Sequence, residues 1–112
     1  MITNSRAGRP KDFYVITVQG RMDARKSLQL KEKIKDLWNE GYYNFVFDLT
    51  GVDFIDSAFL GVVVFTLRMT LNHNGAVRFT NGNPGVMQII RKTRFDKIFE
   101  FHDTLEDALR GQ

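Results

Sequence analysis

Val52 to Asn72 reads VDFIDSAFLGVVVFTLRMTLN, an apolar run broken early by Asp53, Asp56 and Ser57. Burying a charge without a partner is expensive, so polar residues in such a run either cap an element or face solvent. From Ser57 to Asn72 the run is too long for a typical strand and suits a helix. Asp56 or Ser57 then serves as the N-cap, and Asn72 to Gly75 (NHNG) as the end. Leu60, Val63, Val64, Leu67 and Leu71 are expected to form its core-facing stripe.

The flanking segments supply the other layers. Tyr43 to Leu49 (YNFVFDL) is nearly continuously apolar, as a strand covered on both faces should be. Phe13 to Val18 (FYVITV) is a second strand, ended by Gly20. Residues 26 to 39 space Leu30, Ile34, Leu37 and Trp38 helically, with Gly41 as the stop. After NHNG come a strand at Ala76 to Thr80, the turn NGNPG and a helix over Val86 to Lys92 with Pro84 near its first turn. A short strand is expected at residues 98 to 101 (IFEF). A last helix starts at Asp103 or Thr104 with Leu105, Ala108 and Leu109 inward. Residues 1–11 are expected to be a flexible arm, leaving one domain over residues 12–112. This alternation predicts an α/β fold: a mainly parallel sheet of four to five strands packed with about four helices. Whether the helices share one face is left open by the pattern.

The chain has 112 residues, 43% of them hydrophobic and 26% charged, with formal net charge +3 and no cysteine. That excludes disulfides, thiolate catalysis and cysteine-based zinc sites. The two histidines, His73 and His102, have no ligand spacing around them, so neither metal nor cofactor is expected. Cations alternate with acids, and no basic stripe carries interleaved aromatics, so nucleic acid is not an expected partner. Arg91, Lys92 and Arg94 form a local basic cluster, read as a solvated face. The opening MITNSRAGRPKD has no apolar centre to make a signal peptide, and the longest apolar run is too short to span a bilayer. A cytoplasmic protein without membrane insertion is expected.

In an α/β sheet, Asp56 and Ser57 would lie just past a strand's C-terminal end, where ligands and reactive groups collect. Free backbone N–H groups and the helix dipole there favour a negative group on Ser57. Read only as an N-cap, Ser57 would contribute about 1 kcal/mol. Asp23 reads equally as the cap of the first helix. The run has no Gly-x-Ser-x-Gly elbow, and the chain has no GxxxxGK[ST] or GxGxxG phosphate loop. Catalysis is therefore not expected.

Three segments resemble the STAS family, in its bacterial anti-sigma factor antagonist form. GRMDARKSLQLKEKI (Gly20 to Ile34) is similar to the family's strand end and first helix. FVFDLTGVDFIDSAFLGVVV (Phe45 to Val64) is similar to its Asp-Ser site, and VMQIIRKTRFDKIFEFHDTLEDAL (Val86 to Leu109) to its closing elements. The chain departs from the site motif at Phe59, where glycine is usual. The resemblance implies a regulatory module rather than an enzyme. It implies phosphorylation of Ser57 by an anti-sigma factor that is also a serine protein kinase, with Asp56 and Asp23 beside the acceptor. Reversal would fall to a PP2C-type phosphatase. Phosphorylation adds about −1.5 to −2 charges, enough to oppose docking of a partner at the helix end. Phe59, Val62 and Phe65 are expected to attract the partner in the unmodified state, with packing on a neighbouring helix as their alternative. The rival readings are a STAS-type subunit of a transport or signalling complex without a switch, and a small enzyme or nucleotide-binding protein using the same sheet edge.

Overall fold

The computed structural model describes residues 2–6, by their backbone alone, and residues 13–110. Its elements are β1 (Ile2–Arg6), β2 (Tyr14–Met22), α1 (Ala24–Asn39), β3 (Asn44–Ile55), α2 (Ser57–Leu71), β4 (Ala76–Thr80), α3 (Pro84–Lys92), a 3-10 turn (Phe95–Lys97), β5 (Glu100–His102) and α4 (Leu105–Leu109). The sheet runs β1-β2-β3-β4-β5. β1 is antiparallel to β2, and the other neighbours are parallel. This is the α/β architecture the alternating pattern predicts.

The question of faces is answered by two cores. Ile16, Val18, Phe45, Phe47, Leu49 and Phe79 line one side of the sheet. Against them pack Leu30, Ile34 and Leu37 of α1, Phe59 and Val63 of α2, and Val86 and Ile90 of α3. Phe47, Phe79 and Phe101 stack at 5.2 and 5.0 Å between centroids. Each fully buried side chain of this size contributes about 1.5–3 kcal/mol. The other side holds a smaller cluster of Phe13, Val15 and Val46 under Ala108, with Leu105 and Leu109 of α4 packed on it. Three helices therefore cover one face and one short helix the other. The continuous apolar run of β3 has its cause here, since Phe45 and Phe47 face the large core and Val46 the small one.

Along the β2 pairing β3 runs Phe45–Ile55 against Tyr14–Met22, two residues longer, and absorbs the excess in two bulges. The pairing steps from Thr17↔Asp48 to Gln19↔Gly51, and from Gly20↔Val52 to Arg21↔Phe54. Asp53 is the extra residue of the second bulge and is exposed. Its place in an apolar run is thereby explained, because a bulged residue is left out of the ladder.

Three expectations change. Residues 2–6 of the expected arm form an edge strand, whereas residues 1 and 7–11 lie outside the described residues. The stripe of α2 is rotated: Phe59, Val62, Val63, Thr66 and Thr70 face the core, and Val64 and Leu71 are exposed. Leu60 and Leu67 are half-buried beside it. A helix apolar nearly all round gives no unique stripe. The two threonines enter the core because their hydroxyls donate to Val62 O at 2.8 Å and Leu67 O at 3.0 Å. Finally, the 3-10 turn delays β5, so Ile98 precedes the strand instead of starting it.

Candidate functional site

Three helices of the large core begin at the C-terminal edge of the parallel strands, each behind a side-chain cap. Asp23 accepts a hydrogen bond from Lys26 N at 3.1 Å. Asp56 Oδ1 accepts from Ala58 N at 3.0 Å and Phe59 N at 3.2 Å. Asn83 Oδ1 accepts from Val86 N at 2.8 Å, and its Nδ2 donates to Val52 O at 3.1 Å, tying the start of α3 to β3. Met22 pairs with Ile55, so Asp23 and Asp56 follow neighbouring strands at the same level. The parallel register thus brings together Asp23, Asp56 and Ser57 from distant parts of the chain.

Asp56, not Ser57, is the cap of α2. Ser57 is the first helical residue, exposed, and its hydroxyl makes no hydrogen bond among the described residues. The amides expected to cradle a group on Ser57 are already engaged by the Asp56 carboxylate. An anion attached to Ser57 therefore lies beside a carboxylate and projects outward. Asp23 is held below the ordinary aspartate range, first by the Lys26 N–H; partial desolvation opposes this, and the Arg25 N–H and the charges of Lys26 and Arg21 support it.

The expected partner-binding residues separate. Phe59 is 0% exposed and Val62 7%, so neither offers a side chain to a partner. The reason is helical phase. At 3.6 residues per turn, Phe59 points about 200° away from Ser57. Phe65 is half-buried, its ring 5.3 Å from Trp38 and capped by Lys31 Nζ at 4.5 Å. It joins α2 to α1. The residues that share the outward side with Ser57 are Gly61, Val64 and Arg68, with Val64 37% exposed. On α1, Leu28 is 60% exposed. Both helices run back from neighbouring parallel strands, and the Lys31–Phe65 contact sets their level, so Leu28 stands at the height of Gly61. The sequence reading missed Leu28 and Gly61. The signal was available in an unneeded glycine inside a helix and a leucine off the apolar stripe.

His73 stacks on Tyr43 at 4.1 Å past the far end of α2, and His102 lies by Glu100 at 3.4 Å on β5. Among the described residues no three acidic, histidine or cysteine side chains are grouped to hold a metal ion. No described helix is long and apolar enough to cross a membrane.

A mainly parallel sheet with capped helix starts at one edge, and there an exposed serine directly after an aspartate cap, define the class of fold found in STAS domains. The STAS domain family profile matches residues 5–108, and the chain belongs to that family. Over 71 residues it is 32% identical to a Thermotoga neapolitana protein assigned as an anti-sigma factor antagonist, the TM1081 homologue. That match spans 63% of this chain and 63% of the relative, so less than two thirds of the relative's length is covered. The crystal structure of TM1081 from Thermotoga maritima, itself assigned as an anti-sigma factor antagonist, superposes with TM-score 0.86 at 23% identity, covering 96% of this chain and 90% of that one. The anti-sigma factor antagonist SpoIIAA in its unphosphorylated form superposes with TM-score 0.79 at 19% identity over 100% of both chains. Its phosphorylated form, described as a Bacillus cell fate determinant, gives 0.75 at 17% identity over 96% of both.

Proposed function

We propose that this chain is an anti-sigma factor antagonist whose docking is switched by phosphorylation of Ser57. The observation that carries the reading is the exposed, unbonded hydroxyl one residue past the Asp56 cap. A kinase can reach it without breaking the fold, and the cap stays in place without it. The reading in which Ser57 serves only as a helix cap loses its premise, because Asp56 fills that role. The relatives assigned as anti-sigma factor antagonists support the partner class, and SpoIIAA supports a fold of this shape existing in two phosphorylation states.

In the unmodified state an anti-sigma factor that is also a serine protein kinase packs on the side of α2 that carries Ser57, Gly61 and Val64, with Leu28 of α1 adding apolar area. Phosphate on Ser57 places a dianion beside Asp56, with Asp23 on the neighbouring strand end. Docking then buries unmatched charge, which is costly. A PP2C-type phosphatase resets the switch, and both steps take place in the cytoplasm. The protein is a binding module and a kinase substrate.

The test is incubation with the cognate anti-sigma factor and ATP, followed by mass spectrometry and a binding assay. One phosphate on Ser57, capture by Ser57→Ala and loss of capture by Ser57→Asp support the reading. An unlabelled Ser57, together with Ser57→Asp binding as wild type, removes the switch. Binding to a membrane transport complex with no kinase present favours the rival subunit role.

A further inference from the structure

The helices of the large core run back from the Ser57 edge, so their C-terminal ends gather at the opposite pole of the molecule. There α3 ends in Arg91 and Lys92, and the segment after it adds Arg94 and Lys97. All four are exposed, and among the described residues none joins an ion pair. Other cations of this chain do have partners: Arg78 lies 3.7 Å from Glu100, Arg110 bonds Glu106, and Arg21 covers Phe54 at 3.9 Å. The negative end of the helix dipole accounts for Arg91 and Lys92. It does not account for Arg94 and Lys97, which lie beyond the helix.

Two further features mark the same pole. Arg94 holds a left-handed backbone, φ 61°, where a glycine would sit without strain. Within Phe95–Phe99 the aromatic rings turn inward, 5.7 Å from each other, while Ile98 between them turns out with 59% of its surface exposed. Leu71, near the end of α2, is also exposed at this pole. Asp96 is the acid within the cluster, Glu100 is turned toward Arg78 and His102, and the exposed Asp36 and Glu40 at the end of α1 lie across α2 from it. An unpaired cationic cluster with protruding aliphatic side chains fits a surface that is anionic outside and apolar just beneath.

We propose that this pole is a peripheral docking surface for anionic lipid headgroups. It would hold the domain on a membrane reversibly, with the Ser57 edge facing away and open to its partner. An acidic protein is the rival occupant of such a patch, and failure of the chain to sediment with anionic vesicles would overturn lipid in its favour. Nucleic acid would ask for exposed rings to stack on, and Phe95 and Phe99 are turned inward. The inference does not depend on the Ser57 switch.

The experiment is co-sedimentation of the full chain with vesicles of phosphatidylcholine carrying about a third phosphatidylglycerol, at roughly 0.1 M salt where screening is moderate. Binding to these vesicles and not to pure phosphatidylcholine is expected. Removing cations should weaken binding roughly five-fold for each one lost. R94Q/K97Q should therefore lose binding far more than R21Q/R25Q, which removes the same charge from the other pole. I98S, which changes no charge, should also weaken it several-fold. R94Q/K97Q and I98S change exposed side chains and should melt as wild type, whereas R21Q/R25Q gives up the Arg21–Phe54 stack and is compared well below its own melting temperature. Equal losses from the two double variants would reduce the effect to net charge and overturn the proposal. So would tighter binding to a single-stranded RNA, or a self-association in solution that R94Q/K97Q abolishes while vesicles stay unbound.

Discussion

Two helices begin side by side at the C-terminal edge of the sheet, each behind an aspartate. At α1 the cap Asp23 is followed by Ala24, Arg25 and Lys26, and Arg21 precedes it, so cations surround the carboxylate. At α2 the cap Asp56 is followed by Ser57, Ala58, Phe59 and Leu60, with no charged side chain in the first turn. The caps are alike and the electrostatics differ. An added anion at α1 would find compensation close by. Within the first turn of α2 it would find only another carboxylate. The proposed charge-driven switch therefore belongs at α2, and the contrast can be broken experimentally in several places.

The largest effect is expected at Phe59. Its side chain fills the core under the first turn of α2, so Phe59→Ala should lose about 3–5 kcal/mol, measured by urea unfolding. Phe59→Gly, which restores the residue usual in the family motif, should lose at least as much because the helix interior also gains a glycine. A small change in stability together with a large loss of partner binding would return Phe59 to the surface role its position next to Ser57 suggests. Next comes the cap. Asp56 accepts from two amides, and Asp56→Ala should cost about 1–2 kcal/mol. Ser57→Ala should leave stability within about 0.5 kcal/mol, since its hydroxyl holds nothing in the fold. Equal costs for the two substitutions would mean that Ser57 shares the capping role.

These residues also mark where the sequence was legible. The strand–helix alternation, the span of α2 and the Asp-Ser position were readable because apolar periodicity and capping residues are local signals. The phase of α2 was not. Val62, Val63, Val64 and Phe65 are consecutive and apolar, and only the neighbours α1 and β4 decide which of them turn inward. Phe59 was misplaced because adjacency to Ser57 along the chain was read as adjacency in space, when two helical steps reverse the direction. β1 escaped notice because ITNSR carries little strand pattern of its own and gains its order by pairing with β2. The two bulges of β3 were invisible for a similar reason, since they follow from the mismatch between two strand lengths.

Gly61 offers a smaller test with an opposite sign. A Cβ built there meets nothing within 4 Å, so the fold has no steric need for glycine. Gly61→Ala should stabilise the helix by about 0.5–1 kcal/mol, seen as a higher melting temperature. The same methyl group stands on the side of α2 that Ser57 shares, level with Leu28. It should weaken capture of the unphosphorylated protein by its partner. Stabilisation with unchanged capture would move the docking surface off this side of α2.

The smallest effect concerns the α1 start itself. Asp23 titrates below the ordinary aspartate value of 3.8, chiefly because the Lys26 N–H bonds its ionised form. A depressed folded-state value means that its contribution to stability is complete above the unfolded value and fades as pH falls through the folded one. Wild type and Asp23→Asn should therefore differ by a constant amount above about pH 5 and converge in more acidic solution. Carboxyl NMR titration gives the midpoint directly. Arg21→Gln should raise that midpoint only slightly, since the amide bond outranks the more distant cation. A return to 3.8 in Arg21→Gln would put charge ahead of the cap at α1. The cationic environment would then be what sets Asp23 apart, and the lack of any cation in the first turn of α2 would weigh even more heavily on what Ser57 can carry.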